Sequence, residues 1–230
     1  MIGIFDSGVG GLNAFYEVRR GLPYADIAYL ADRANAPYGT KPKDKLISLV
    51  KNDIKRLREL GCRLILIACC TASTVYPELS DDEKRISIPI ITPSARVAAE
   101  GSRITVIATD ATVRSHSFER EILRYNTAAS ITELAAQPLV AAIEGGARCE
   151  NMNASGRAVF SRVCERIRDT DPDTLVLGCT HFSHLQGEFE RELPSVRIVS
   201  PAAEGARALL SRYRMENLRL PVEHGISVYL

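Results

Sequence analysis

Two cysteines sit where apolar runs stop. "LILIACCTAS" (64–73) carries Cys69 and Cys70 into Thr71, and "DTLVLGCTHF" (173–182) carries Cys179 into Thr180. A thiol at a strand end can meet the N-terminus of the next helix, where the dipole and free amides favour thiolate and lower the pKa from its usual ~8.5. Two facing thiols without a metal support redox exchange or proton transfer at carbon. In the second chemistry one thiolate removes a proton from one face of a carbon and a thiol returns one to the other face, inverting the centre. The bland reading of a cysteine is a small buried hydrophobe. That reading suits Cys62, Cys149 and Cys164, which lack the matched setting of Cys69 and Cys179.

Composition narrows the class. The 230 residues carry 29 basic and 28 acidic side chains, a net charge of +1, which argues against a nucleic-acid partner held by a concentrated positive field. Hydrophobic residues make up 46%, enough for a full core. No apolar run approaches the ~20 residues of a membrane span, and "MIGIFDSG" shows no secretory signal. A cytoplasmic setting with reduced thiols is expected for the six cysteines. No C-x-x-C pair occurs, and His116, His181, His184 and His224 have no metal-ligand spacing, so neither metal nor cofactor is expected.

The elements that must position these groups alternate. Strands are predicted over 2–5, 27–31, 63–68, 88–91, 104–108, 130–134, 174–178 and 196–200, several of them continuously apolar as in strands covered on both faces. Helices are predicted over 43–60, where Leu46, Val50, Ile54 and Leu57 form a stripe ended by Gly61, and over 157–169 and 183–193. "LSDDEKR" (79–85) reads as a solvated loop. This is an α/β chain with mostly parallel sheets. A faint repeat relates "LILIACCTAS" to "TLVLGCTHF" and "IGIFDSGVGG" to "ITVIATDATV". It predicts two pseudo-symmetric α/β lobes with the site in the cleft between them: residues 1–93 with 201–230, and residues 94–200. The break is placed at "TPSA" (92–95), where Pro93 interrupts the pattern.

The loops offer ligand groups. "DSGVGG" (6–11) presents Asp6, Ser7 and backbone N–H groups to an anion, or Asp6 or Ser7 merely caps a helix. "APYGTK" (36–41) offers the Tyr38 hydroxyl beside Gly39. Thr109 and Thr112 can bind a carboxylate or cap a helix, and His181 stands two residues from Cys179.

Together "FDSGVGGL", "DRANAPYG", "IACCTAS", "IATDATVRS", "QPLVAAIEGG" and "LGCTHF" occur in the order and spacing of bacterial glutamate racemases, and the chain resembles that family from residue 2 to about residue 210. The resemblance implies a cofactor-independent racemase making D-glutamate for peptidoglycan, with Cys69 and Cys179 as proton donor and acceptor. It implies that Asp6 assists Cys69, that His181 assists Cys179, and that Glu144 supports His181. Asp6, Ser7, Tyr38, Gly39, Cys70, Thr71, Thr109, Thr112, Thr180 and His181 would line the pocket for an acidic amino acid. A homodimer is left open. The chain departs from the family pattern at Cys70, where Asn is usual, at Ser183-His184 and at Ser200. Three rival readings remain: the same chemistry on another substrate such as aspartate, a non-catalytic binder of acidic ligands, and a thiol oxidoreductase.

Overall fold

The computed structural model describes residues 1–145, 152–216 and the backbone of 226–229. Cys149 and His224 lie outside the described residues. Two parallel sheets form the frame. The first has five strands in the order β4-β3-β1-β2-β9: β1 (Ile2–Asp6), β2 (Ile27–Ala31), β3 (Leu64–Ile67), β4 (Ser87–Pro89) and β9 (Ile226–Tyr229). The second has four in the order β6-β5-β7-β8: β5 (Arg103–Ala108), β6 (Ser130–Ala135), β7 (Thr174–Gly178) and β8 (Arg197–Val199). The helices are α1 (Leu12–Gly21), α2 (Lys43–Glu59), α3 (Cys70–Ser73), α4 (Asp81–Ile86), α5 (Ile91–Ala98), α6 (Asp110–Ser115), α7 (Ser117–Leu123), α8 (Gln137–Glu144), α9 (Ala154–Arg168), α10 (Gln186–Glu192) and α11 (Pro201–Met215).

The continuously apolar strands are covered on both faces, and side-chain alternation divides them between cores. Ile2, Ile4, Leu64 and Leu66 of the first sheet and Ile104, Val106 and Val176 of the second point into one shared core. That core also holds Phe15 of α1, Ala95 of α5, Phe118 of α7 and Leu209 of α11. Phe5, Ile65 and Ile67 face the opposite way, onto Leu46, Val50, Ile54 and Leu57 of α2. Leu175 and Leu177 face Leu139 of α8, Val163 of α9 and Phe189 of α10. The sheets are thus joined through a packed layer of helices rather than by a linker.

The repeat maps onto equivalent places. β1 pairs with both β2 and β3, so the direction of winding reverses between β1 and β3. β5 pairs with both β6 and β7, so the same reversal falls between β5 and β7. Ligands of open α/β sheets bind outside the strand ends at such reversals. Asp6 and Cys69 stand at the first, Thr109 and Cys179 at the second.

Several expectations change. β9, absent from the patterning, extends the first sheet beside β2. The strand expected over 88–91 stops at Pro89 because Ile90 and Ile91 begin α5, with Ser94 Oγ donating to Ile90 O at 2.6 Å. Pro93 does not break the pattern. It occupies the first turn of α5, where no intrahelical N–H bond is lost. The helix expected over 183–193 is a 3₁₀ turn over 180–185 followed by α10. Gly61 does end α2, with φ +83°, a conformation that suits glycine. The segment read as a solvated loop contains α4, closed by a capping box. Glu83 N donates to Ser80 Oγ at 3.3 Å and Ser80 N donates to Glu83 Oε2 at 2.7 Å. Ser80→Ala is expected to lower stability by about 0.5–2 kcal/mol in urea denaturation.

Candidate active site

Cys69 follows β3 and caps α3. Its sulfur accepts from Ala72 N at 3.4 Å and its thiol donates to Ser7 Oγ at 3.7 Å. Cys179 follows β7 and opens the 3₁₀ turn, with Sγ 3.6 Å from His181 Nδ1. His181 Nε2 lies 3.2 Å from Glu144 Oε1, so a line of polar contacts runs from the second thiol to the half-exposed end of α8. Both thiols line one cavity of about 310 Å³, together with Ser7, Tyr38, Gly39, Cys70, Thr71, Thr109, Glu144, Thr180 and His181. Asp6 and Thr112 are fully buried and lie behind this wall.

Asp6 is held by Gly8 N, donating at 3.0 Å, and Thr180 Oγ1, donating at 3.3 Å. These bonds run to its own loop and to the opposite lobe rather than to the Cys69 sulfur. Nor does Asp6 or Ser7 cap α1, whose cap is Gly11. The glycines of this loop serve close approach: a Cβ on Gly10 would come within 2.5 Å of Thr180 Oγ1. Across the cleft three hydroxyls close a triangle. Thr71 Oγ1 is 2.9 Å from Thr109 Oγ1 and 3.1 Å from Thr112 Oγ1, and Thr109 Oγ1 is 2.9 Å from Thr112 Oγ1. Thr109 also caps α6, so its helix-cap reading holds.

The expected lowering of the thiol pKa does not occur. Burial pushes Cys69 up to about 12, with the Asp6 carboxylate adding to the rise and the Ala72 N–H opposing it. Burial also raises Cys179, against a backbone hydrogen bond at His181. Cys70 rises through burial and the neighbouring Cys179 and Cys69 thiols. Desolvation outweighs the few amide contacts that a four-residue helix and a 3₁₀ turn supply. Burial thus works against the thiolate at both positions.

Tyr38 lines the cavity but aims its hydroxyl away from it, at Asp32 Oδ2 (2.6 Å) and Asp53 Oδ2 (2.9 Å). One phenolic hydrogen cannot serve two carboxylates. Burial and the Asp32 charge push Asp53 up to about 7, and its Oδ1 is buried without a hydrogen bond. Arg56 Nη1 stands 3.7 Å from Asp53 Oδ1 and opposes the rise. Tyr38 thus anchors the loop that carries Gly39.

The sequence pattern of the Asp/Glu/Hydantoin racemase family matches residues 25–209. This chain belongs to that family. A glutamate racemase of Gloeobacter violaceus is 36% identical over 223 residues, covering 94% of this chain and 83% of its own. A crystal structure of glutamate racemase from Francisella tularensis in complex with D-glutamate superposes with a TM-score of 0.89 at 27% identity, covering 99% of this chain and 85% of that one. An aspartate racemase of Picrophilus torridus, 18% identical with a TM-score of 0.65 over 97% of this chain and 96% of its own, shares the fold.

The racemase-family cavity also includes residues that the sequence reading missed. Arg33 and Gln137 stand at its wall, and Val140 adds an apolar contact. Gln137 Oε1 is buried without a hydrogen bond and fills the place a Cβ on Gly39 would take, 2.7 Å away. Both polar residues lie inside stretches that carried the resemblance, "DRANAPYG" and "QPLVAAIEGG". Only the sheet geometry brings those stretches together.

The Asp53 environment gives a signed pH effect. The carboxyl loses its proton near pH 4 when unfolded (~3.9) but near 7 when folded. Between those values the folded state binds more protons, so this group's stabilisation is full below about pH 4 and is lost as pH rises through 7. Asp53→Asn should remove that slope. Melting curves from about pH 5 to about pH 8 should show the variant gaining on the wild type as pH rises.

Proposed function

We propose that this protein interconverts L- and D-glutamate by proton transfer at Cα between Cys69 and Cys179, without a cofactor. The observation that carries the reading is the placement of two buried thiols, one from each sheet's winding reversal, on one cavity of amino-acid size. In each direction one sulfur acts as thiolate and takes the Cα proton, leaving the electron pair on carbon. The other thiol then delivers its proton to the opposite face and becomes the thiolate. Net charge moves from sulfur to sulfur, and no electrons leave the substrate. Thr71 and Thr109, backed by Thr112, suit the α-carboxylate, which must hold the developing negative charge. The Asp6 carboxylate, buried behind the wall, adds a negative field that favours the α-ammonium. The contacts of His181 with Cys179 and Glu144 support a role for this pair in proton exchange with Cys179. The ammonium also brings a positive charge between the thiols, which favours the thiolate that burial disfavours.

The curated relatives named glutamate racemase support glutamate as substrate, and we read its role as supply of D-glutamate for peptidoglycan. The chain divides on this reading into a first lobe of residues 1–93 and 201–230 and a second of 94–200. Cys69→Ser and Cys179→Ser should each lower racemisation by at least ~10²-fold, since an alcohol is a much weaker acid than a thiol. Incubation with either enantiomer in D₂O, followed by loss of the Cα–H signal and chiral chromatography, measures it. Full activity in either variant sinks the two-thiol mechanism. Absence of exchange in the wild type, with glutamate still bound, would leave a binding protein.

Cys70 lines the cavity where the family usually has Asn. A thiol is a weak donor, and a hydrogen bond to a charged group is worth about 1.5–3 kcal/mol. Cys70→Asn is expected to lower the KM for glutamate roughly tenfold or more. An unchanged KM with a lower Tm would place position 70 in packing rather than in substrate contact.

A further inference from the structure

The cavity has a closed end and an open end. Cys69, Cys179, Thr71 and Thr109 are buried in its wall, whereas Val9, Arg33 and Glu144 are exposed. On the reading proposed above, Cα lies between the two sulfurs and the α-carboxylate lies against Thr71 and Thr109. Both belong to the closed end. The side chain of the substrate must therefore run toward the open end, where two charged residues stand on different elements.

Those two residues differ in sign and in freedom. Glu144 ends α8, and its carboxylate already faces His181 Nε2 at 3.2 Å. Its charge repels a second carboxylate. Arg33 opens the 3₁₀ turn Arg33–Asn35 that follows β2. Among the described residues of the wall it alone carries a fixed positive charge, and no described carboxylate pairs with it. Asp32, its neighbour in the chain, is turned to other donors: Asn35 Nδ2 donates to Oδ1 at 3.0 Å and the Tyr38 hydroxyl to Oδ2 at 2.6 Å. The same bonds fasten the turn that carries Arg33. A guanidinium presents two parallel N–H donors that match the two oxygens of a carboxylate.

We propose that Arg33 receives the side-chain carboxylate of the substrate and sets the preference for an acidic amino acid over its neutral amide. The inference rests on the glutamate reading above. The two ends of the substrate then meet different chemistry: hydroxyls at the α-carboxylate, a fixed cation at the distal one. The amide of glutamine carries no charge and offers one acceptor oxygen in place of two. Reach adds a second filter. Aspartate is one methylene shorter, so with its Cα held between the sulfurs its carboxylate draws back from Arg33.

The test measures binding as well as exchange, on the whole chain. Titration calorimetry with glutamate, aspartate and glutamine should show glutamate held most tightly. Arg33→Gln should weaken glutamate binding about fivefold or more and leave glutamine binding unchanged. Arg33 is exposed, so an unchanged Tm is expected in this variant. Arg33→Lys keeps the charge without the fork and should recover only part of the loss. An unchanged ratio of glutamate to glutamine affinity in Arg33→Gln, or full recovery in Arg33→Lys, overturns the contact. Exchange of the Cα hydrogen by the wild type is read separately. Exchange with an unmoved affinity ratio removes the role of Arg33 and leaves the racemase standing. Absence of both exchange and glutamate binding in the wild type overturns the racemase reading and this inference with it.

Discussion

Burial of two thiols against one small cavity is the constraint from which the rest of the site follows. Sulfur at the end of a covered parallel strand has little water to stabilise its charge, and here the loss of hydration outweighs the helix-end amides. Burial therefore disfavours charge on both sulfurs, and on the proposed reading a charged substrate offsets it. The low-dielectric surroundings that suppress the thiolate also strengthen its attraction to an arriving ammonium.

The frame meets that constraint through symmetry of position rather than of sequence. Each sheet reverses its winding once among its central strands, and each reversal presents one thiol-bearing strand end beside one strand end rich in oxygen. α1, α5, α7 and α11 fill the space between the sheets and hold the two reversals face to face. The Gly10 approach to Thr180 and the Thr71 contact with Thr109 then stitch the lobes at the cavity itself.

Much of this was legible in the sequence because the signals were local. Apolar runs gave every strand of the second sheet and four of the five in the first, and the matched Cys endings gave the thiols. Their charge state was not legible, because local sequence suggested a helix end while three-dimensional burial decided the outcome. Tyr38 was found, but its hydroxyl's direction depended on Asp53, from a helix later in the chain. α4 was misread through its charge, although Ser80 and Glu83 carry the spacing of a capping box. Arg33 and Gln137 depend on which segments lie side by side, and strand order is not written in any one segment.

The triangle of Thr71, Thr109 and Thr112 has a further meaning. Each hydroxyl can give one hydrogen and receive others, so three of them satisfy one another in a closed circuit that needs no water. A carboxylate only receives. On the proposed reading of these threonines, a carboxylate would make at least one hydroxyl turn its hydrogen outward and so open the circuit. Ligand contact is therefore an exchange of partners rather than a gain of new ones, and its net strength is set by charge. A neutral acceptor offers little to drive the exchange, whereas an anion does. Because one corner belongs to the first lobe and two to the second, opening the circuit also loosens a clasp between them. On that reading the anion would take over as the piece that both sheets' loops hold.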